Sequence, residues 1–487
     1  MAPRKRIGDL LIEQGLINEG QLKHALEEQK KSGELLGCIL FQLGHISQKD
    51  LFNVLALSQA EVAVSIPENR ERDISGEIDH LVSQSSTLFS RGLDPRKKEL
   101  EALNSPLVTL VEKILSDGVQ RGATDVHINP DQKGVRVRYR IDGVLQHALF
   151  LPESLLGPIV SRFKIMGQMD IAETRLPQDG GAEFFAMGRP VDLRISTFPV
   201  AGGENVVVRI LDKSQLQIGM EHLGFFPEDI KTIYDILKLP NGIILVTGPT
   251  GSGKTTSLYS FLSVINSVNR NIITLEDPIE YQMPLVRQSQ VNVKSGYTFA
   301  VGLRSILRQD PDVILVGEMR DLETAKLTIR AALTVHLVFS TLHATDCVST
   351  IARLVDMGAD PFLITSTMEA IVSQRLVRNL CVNCREEIPA DDPQYGQVGE
   401  LAAGQRLYRA GGCPVCSDSG YKGRTVVYEI LRLSVLLKEL INNRASTEEI
   451  RRQAVSEGFA GMLVNGLRKV RQGEISLEEL QRITKLA

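Results

Sequence analysis

Apolar residues recur at two different spacings along the chain, and these spacings predict its helices and strands. Near the start, Leu22 and Leu26 have the four-residue spacing of one helix face, and Leu51 and Leu55 repeat them 29 positions later. Glycines recur at the same offset. A repeat of this kind indicates two copies of one unit. We therefore predict a small helical module over residues 1–65, built from two helix–turn–helix units.

The next two segments differ in character from this module. Residues 66–105 are polar and charged with little periodicity, which is typical of a linker. Residues 106–215 begin with a helical pattern, after which apolar and polar residues alternate, as over 135–140 and 206–210. Such alternation suits the strands of a sheet with one polar face. An α+β domain is therefore predicted over 106–215.

Residues 220–487 predict a different architecture. Short, mostly apolar runs at 243–247, 272–275, 313–316 and 337–340 alternate with helical segments. This order is typical of a parallel sheet that is covered by helices on both faces. We therefore predict an α/β core in this part of the chain.

The composition narrows the functional classes. The chain has 487 residues, 43% of them hydrophobic and 23% charged, with a formal net charge of −4. This is the balance of an ordinary soluble protein without a general attraction to the phosphate backbone of nucleic acid. No apolar run approaches the roughly 18 residues of a membrane-spanning helix, and Asp9 and Glu13 interrupt the only apolar stretch that could begin an export signal. We expect no nucleic-acid partner, no cleaved signal, and membrane contact only through partners.

The sequence GPTGSGKTT carries the clearest chemical signal. Its glycines allow backbone N–H groups to face phosphate oxygens, Lys254 supplies positive charge, and the Thr255 hydroxyl is a ligand for Mg²⁺. An apolar strand precedes the motif and an apolar helix follows it, a context that a chance glycine-rich turn does not need. We predict that ATP and Mg²⁺ bind to Gly248, Pro249, Thr250, Gly251, Ser252, Gly253, Lys254, Thr255 and Thr256.

Acidic groups follow two of the predicted strands. Glu318 comes after the run 313–316, and Glu276 and Asp277 come after the run 272–275. Ligands of open α/β sheets bind at this edge of the sheet. We expect Glu318 in the Mg²⁺ shell and Glu276 as the group that orients the attacking water. The alternative for each is a helix cap or a surface turn.

Four of the six cysteines form two pairs, Cys381 with Cys384 and Cys413 with Cys416. Two C-x-x-C pairs separated by a loop of fewer than thirty residues have the spacing of a structural zinc site closed by four thiolates. We predict such a site in an element over 381–416. A redox pair or four buried thiols is the alternative.

Together, these motifs resemble those of the secretion ATPase superfamily, in particular the type II secretion and type IV pilus-assembly ATPases. The resemblance rests on the phosphate loop, the cysteine pairs, and the segments TLEDPIE at 274–280, LRQDPD at 307–312, GEMRD at 317–321 and STLH at 340–343. It implies a RecA-like P-loop motor core with a zinc-binding insertion, preceded by an α+β domain. It also implies a homohexamer in the cytoplasm, peripheral to the inner membrane, with inner-membrane platform proteins as partners.

The resemblance extends to residues outside the phosphate loop. It implies that Arg194 and Arg209 reach the triphosphate and that His343 belongs to the catalytic edge. The sequence departs from the family at Val335, where relatives carry glycine before His336, so we expect a different backbone there. Further arginines flank the acidic segments and are candidates for contacts to phosphate, namely Arg304, Arg308 and Arg320.

The N-terminal repeat resembles a module that binds cyclic di-GMP in some assembly ATPases. The resemblance implies ligand contacts from Arg6 and Gln29. The second copy has Leu35 and Ser58 at the corresponding positions. A module that serves only for docking is therefore the alternative.

Three functions remain open from the sequence. The first is ATP hydrolysis that powers assembly of a pseudopilus or a pilus, two systems that share every motif named above. The second is a scaffold gated by nucleotide and cyclic di-GMP with little turnover, which the intact Lys254, Glu276 and Glu318 disfavour. The third is a DNA-translocating relative, which the acidic balance and the cysteine pairs disfavour.

Overall fold

The computed structural model describes four long segments of the chain, residues 106–132, 134–212, 219–389 and 406–484, and the short pieces 16–18, 20–25, 45 and 81–83. The predicted helical module and linker lie largely outside the described residues, and so do Arg6 and Gln29.

The first sheet is antiparallel, and two helices cover one of its faces. The strands are β1 (Ala123–Asp131), β2 (Gly134–Ile141), β3 (Val144–Leu151), β4 (Gln178–Ala186), β5 (Arg189–Val200) and β6 (Gly203–Leu211), in the order β3-β2-β1-β6-β5-β4. The helices are α1 (Pro106–Gln120) and α2 (Leu156–Met166). Val191, Leu193 and Ile195 of β5 are buried in the core beneath these helices. Because strand side chains alternate between faces, Arg194 projects from the opposite face.

The second sheet has seven strands and is parallel except at one edge. Its strands are β7 (Gly242–Thr247), β8 (Ile272–Glu276), β9 (Val286–Gln290), β10 (Val313–Val316), β11 (Leu337–Leu342), β12 (Met368–Leu380) and β15 (Tyr421–Arg432), in the order β15-β12-β7-β11-β10-β8-β9. Only β15 runs antiparallel, beside β12. A two-stranded ribbon, β13 (Glu386–Glu387) with β14 (Tyr408–Arg409), lies between β12 and β15 in sequence.

Helices cover both faces of this second sheet. Ile243 and Leu245 of β7 belong to the apolar core on one face, and Ile244 and Val246 belong to the core on the other. This two-sided burial explains the continuous apolar runs in the sequence, and the predicted parallel α/β core is confirmed. The helices are α3 (Pro227–Leu237), α4 (Lys254–Ile265), α5 (Phe299–Ile306), α6 (Leu322–Leu333), α7 (Cys347–Asp356), α8 (Pro361–Thr367), α9 (Val435–Asn442), α10 (Thr447–Ser456), α11 (Met462–Arg471) and α12 (Leu477–Ile483).

The two sheets touch along one side of a cleft. Asp142, in the turn between β2 and β3, accepts a hydrogen bond from the backbone N–H of Gly423 at 3.0 Å and lies 3.5 Å from the guanidinium of Arg424.

Within the described segments, no helix is both long enough and apolar enough to cross a membrane.

Candidate nucleotide site and cysteine cluster

The phosphate loop joins the end of β7 to the start of α4. Gly248, Gly251 and Gly253 all have positive φ, a conformation that residues with a side chain rarely adopt. At Gly248 a Cβ atom would lie 2.4 Å from the carbonyl oxygen of Gln374, so a side chain does not fit there. The loop therefore has the open backbone and the following helix N-terminus that a phosphate group requires.

A buried glutamine from β12 holds this loop in place. The Gln374 amide donates to the carbonyl of Ser252 at 2.8 Å and accepts from the Ser257 hydroxyl at 2.9 Å. Gln374 thus binds the end of the loop and the first turns of α4 at once. Sequence analysis missed it, because nothing in the local pattern around residue 374 marks a polar side chain that contacts a loop more than a hundred positions earlier.

Lys254 is folded back onto the loop. Its ammonium donates to the carbonyls of Gly248 and Pro249, both at 2.9 Å. Burial lowers the pKa of Lys254, while the nearby carboxylate of Glu318 opposes that shift. The positive side chain that the sequence predicts for phosphate binding is therefore present at the loop.

Glu276 ends β8 and is buried, with only 4% of its surface exposed. Its Oε1 accepts from the Thr274 hydroxyl at 2.6 Å and from the Gln288 amide at 3.1 Å, and its Oε2 accepts from the Tyr259 hydroxyl. Burial raises the pKa of Tyr259, and the hydrogen bond to Glu276 raises it further, so the hydroxyl remains a donor. Three donors fix this carboxylate, and one of them comes from α4.

Glu318 follows β10 and is more accessible than Glu276. Its Oε1 contacts the guanidinium of Arg320, and its Oε2 lies 3.6 Å from Nε2 of His343. Arg320 also lies 3.5 Å from Asp277. The structure therefore brings together, at one edge of the sheet, the acidic groups and the histidine that the sequence singles out.

The other two flanking arginines make local contacts instead. Arg304 pairs with Glu323, and Arg308 donates to the backbone carbonyl of Arg304 at 2.7 Å. Neither contacts the acidic strand ends. Among these three arginines, which all lie in the described segments, only Arg320 forms ion pairs with Glu318 and Asp277.

Two arginines of the first sheet face the second sheet across the cleft. Arg194 and Arg209 are directly paired in register on β5 and β6. Arg194 lies 3.9 Å from Glu280, which belongs to the loop after Glu276, and Arg209 lies 3.2 Å from Asp125. Each guanidinium is thus partly exposed and held by a carboxylate.

The cleft between the sheets has the size of a nucleoside site. Its volume is about 510 Å³, within the range of small-molecule pockets. One wall comes from the start of α4 and from β12, and the other comes from the first sheet. The residues that line it include Gly122, Ala123, Thr124, Asp142, Ile210, Asp212, His222, Leu223, Gly253, Thr256, Ser257, Leu376, Arg424 and Val426.

The backbone at Val335 has a conformation that is unusual for a residue with a side chain. Its φ is +69°, and 75% of its surface is exposed. This is the conformation that glycine adopts without strain and that a β-branched residue resists. The neighbouring His336 donates from Nδ1 to the carbonyl oxygen of Ala331 at 2.8 Å, so this ring contacts the end of α6.

The four paired cysteines converge on one point. Their sulfur atoms all lie within 4.8 Å of one another, with Sγ–Sγ distances of 3.8 Å for Cys381–Cys413 and 3.7 Å for Cys384–Cys416. A tetrahedral zinc with Zn–S bonds of about 2.3 Å places its sulfurs about 3.8 Å apart. The cluster therefore fits a tetrahedral metal ion, and the backbone N–H of Gly420 donates to Cys416 Sγ at 3.2 Å.

Comparisons with known proteins agree with this arrangement. A family model described as "Type II/IV secretion system protein" matches residues 101–482. Over 383 residues the chain is 46% identical to "Type II secretion system protein E" of Pseudomonas aeruginosa, covering 78% of this chain and 76% of that one. It is 36% identical to "Type IV pilus assembly ATPase PilB" of Myxococcus xanthus, covering 98% of each chain.

A solved structure supports the similarity in three dimensions. The crystal structure of the pilus retraction motor PilT with bound ADP aligns with a TM-score of 0.52 and 26% sequence identity. The alignment covers 77% of this chain and 96% of that one.

Proposed function

Because the chain belongs to the family of type II/IV secretion system proteins, we propose that it hydrolyses ATP to power assembly of a pseudopilus or a pilus. The observation that carries this proposal is that Glu318, with His343 3.6 Å away, follows a strand of the same parallel sheet whose strand β7 leads into the phosphate loop. Positive charge for the triphosphate, from Lys254 on that loop, and a carboxylate for Mg²⁺ are thus available at one edge of the sheet.

The two glutamates have different surroundings, and we assign them different roles. A carboxylate offers about four lone-pair sites; two on Oε1 and one on Oε2 of Glu276 are already used, which leaves one for the attacking water. We assign Glu318, which is more accessible, to the Mg²⁺ shell with the Thr255 hydroxyl. His343 beside Glu318 completes this edge.

Arg194 and Arg209 are proposed to engage the triphosphate when the first sheet closes on the second. Arg194 already spans the cleft towards Glu280, and Arg209 is its register partner. Arginines that stabilise the charge of phosphoryl transfer are worth about 10³ to 10⁵ in rate in comparable enzymes. Reopening after hydrolysis would complete one cycle of movement.

The proposal extends to assembly and to the further ligands. We propose a homohexamer at the cytoplasmic side of an inner-membrane platform, with Zn²⁺ in the cluster of Cys381, Cys384, Cys413 and Cys416. Cyclic di-GMP is proposed as a ligand of the N-terminal module, through Arg6 and Gln29. The sulfur geometry supports zinc, and the family relation supports the assembly and the location.

Steady-state ATPase assays of the full chain test the proposal. Glu276→Gln should lower kcat at least 100-fold with little change in the Mg²⁺ requirement. Glu318→Gln should raise the Mg²⁺ concentration for half-maximal activity at least 10-fold. Glu448→Gln, on the exposed face of α10, is the matched control and should leave both unchanged. Lys254→Ala should abolish turnover, and the mass in solution with ATP should be that of a ring.

The same assays can refute the proposal. ATP binding without turnover, in every assembly state and with platform proteins added, would replace the motor with a nucleotide-gated scaffold. If instead Glu276→Gln shifts the Mg²⁺ requirement and Glu318→Gln lowers kcat, the two glutamates exchange roles and the ATPase assignment stands.

A further inference from the structure

A second cavity lies in the same domain as the phosphate loop but contains none of the loop's residues. Its volume is about 600 Å³. Its walls come from the turn after β11, from β12 and β15, and from α10, α11 and the end of α12. The charged residues that line it are Asp346, Arg375, Glu429, Arg451 and Arg482.

Arg375 enters this cavity without a partner anion. Its Nε is buried and makes no hydrogen bond within the described part of the chain. Its Nη2 lies 3.5 Å from the carbonyl oxygen of Thr345, which is the longest distance for a hydrogen bond. A guanidinium has five N–H donors, and a buried donor without an acceptor is costly. Arg375 is therefore a cation with unused donors.

The carboxylates around the cavity are hydrogen-bonded or paired with groups other than Arg375. Asp346 accepts from the backbone N–H of Ser349 at 2.8 Å and pairs with Arg451 at 3.0 Å. Glu429 accepts from the first backbone N–H groups of α7 and α11, at 2.6 and 2.9 Å. Arg482 pairs with Glu479 at 2.9 Å. None of these contacts involves Arg375, and the charged side chains that line the cavity are three guanidiniums and two carboxylates, a formal excess of one positive charge.

We propose that this cavity binds inorganic phosphate, with Arg375 as the principal ligand and Arg451 on the facing wall. The planar fork of a guanidinium matches the oxygens of phosphate and binds them by two parallel hydrogen bonds. The choice of phosphate rests on the proposed ATPase function, because hydrolysis at the phosphate loop would release it in the same domain. Thr345 lies two residues after His343, and Arg375 directly follows Gln374, which holds the phosphate loop.

Calorimetric titration of the full chain with inorganic phosphate tests this site separately from turnover. With Mg·ADP bound, the native protein should bind phosphate, and Arg375→Gln should weaken that binding at least 10-fold. Arg353→Gln, an exposed arginine on α7, is the matched control and should change the affinity less than 2-fold. Acetate at the same ionic strength should give no saturable heat.

Lys254→Ala distinguishes this cavity from the phosphate loop. Without nucleotide, that variant should still bind phosphate with an affinity within 2-fold of the native protein. Unchanged affinity in Arg375→Gln, or loss of binding in Lys254→Ala, overturns the proposal. If Arg375→Gln does not fold, Arg375→Lys and Arg451→Gln replace it, each expected to weaken binding several-fold. A protein that binds phosphate here but shows no turnover would refute the ATPase proposal alone.

Discussion

Replacing Tyr259 by phenylalanine removes the one hydroxyl that joins the helix after the phosphate loop to Glu276. The hydroxyl is buried and donates to a carboxylate that is 4% exposed. A hydrogen bond to a charged group contributes about 1.5–3 kcal/mol to stability. Since each 1.36 kcal/mol corresponds to a tenfold change in rate, the same loss of positioning in the transition state would lower kcat about 10- to 100-fold. The KM for ATP should change less than 2-fold, because the hydrogen bonds of the Tyr259 hydroxyl within the described segments are with Glu276, Glu280 and Gln288, not with the phosphate loop.

Tyr281 provides a matched control for this variant. Its ring meets that of Tyr259 edge-on, with 4.7 Å between ring centroids, but its hydroxyl has no recorded hydrogen bond among the described residues. Tyr281→Phe should therefore change the free energy of unfolding by less than about 0.5 kcal/mol and leave kcat unaltered. Urea denaturation and steady-state kinetics of both variants measure the two effects side by side.

This experiment distinguishes a role of the Tyr259 hydroxyl in positioning Glu276 from a role in stability alone. A loss of stability with unchanged kcat means that Glu276 needs no positioning by Tyr259, and our account of the acidic edge fails. Equal losses of kcat in both variants would mean that the loss does not depend on the hydrogen bond from Tyr259 to Glu276.

Three further predictions concern backbone strain, charge and the cysteine cluster. Val335→Gly should stabilise the fold by about 0.5–1 kcal/mol in urea denaturation, since the strain of about 1–2 kcal/mol at positive φ exceeds the entropy that glycine loses; Val301→Gly in α5 should destabilise it. Because the pKa of Lys254 is lowered, its charge is lost at a lower pH than the charge of an ordinary lysine. We therefore expect kcat/KM to fall at alkaline pH. The pH at which kcat/KM falls must shift in Glu318→Gln, because the Glu318 carboxylate acts on the pKa of Lys254. Cys413→Ser should remove bound zinc, measured by a colorimetric metal assay, and lower the melting temperature; retained zinc would contradict the four-thiolate site.

Local patterns explain the part of the molecule that the sequence predicts well. The strands β7 and β11 are buried at every position, so each contains a short apolar run, IILV in β7 and LVF in β11. The phosphate loop is a contiguous motif, and each cysteine pair occupies four positions, so their chemistry is visible without the fold. Glu276 and Glu318 could be placed at one edge because both end parallel strands.

The contacts that hold this site together could not be predicted in the same way. Gln374 reaches Ser257 across 117 positions, and Tyr259 meets Glu276 only because α4 packs over β8. Neither the residue type of Gln374 nor that of Tyr259 stands out from the neighbouring residues in the sequence, so neither indicates a contact. Such pairs depend on strand order and on the angle at which a helix crosses the sheet, which a one-dimensional pattern does not specify.

The carboxylates that hold Arg194 and Arg209 bear on the reversibility of a closing movement. Each guanidinium rests against an acid, Arg194 against Glu280 and Arg209 against Asp125. Transfer to a phosphate would exchange one anion for another, so neither cation would be stripped of its partner in the open or the closed state. The two states would then differ little in free energy, and a nucleotide could tip the balance in one direction while its hydrolysis returned it.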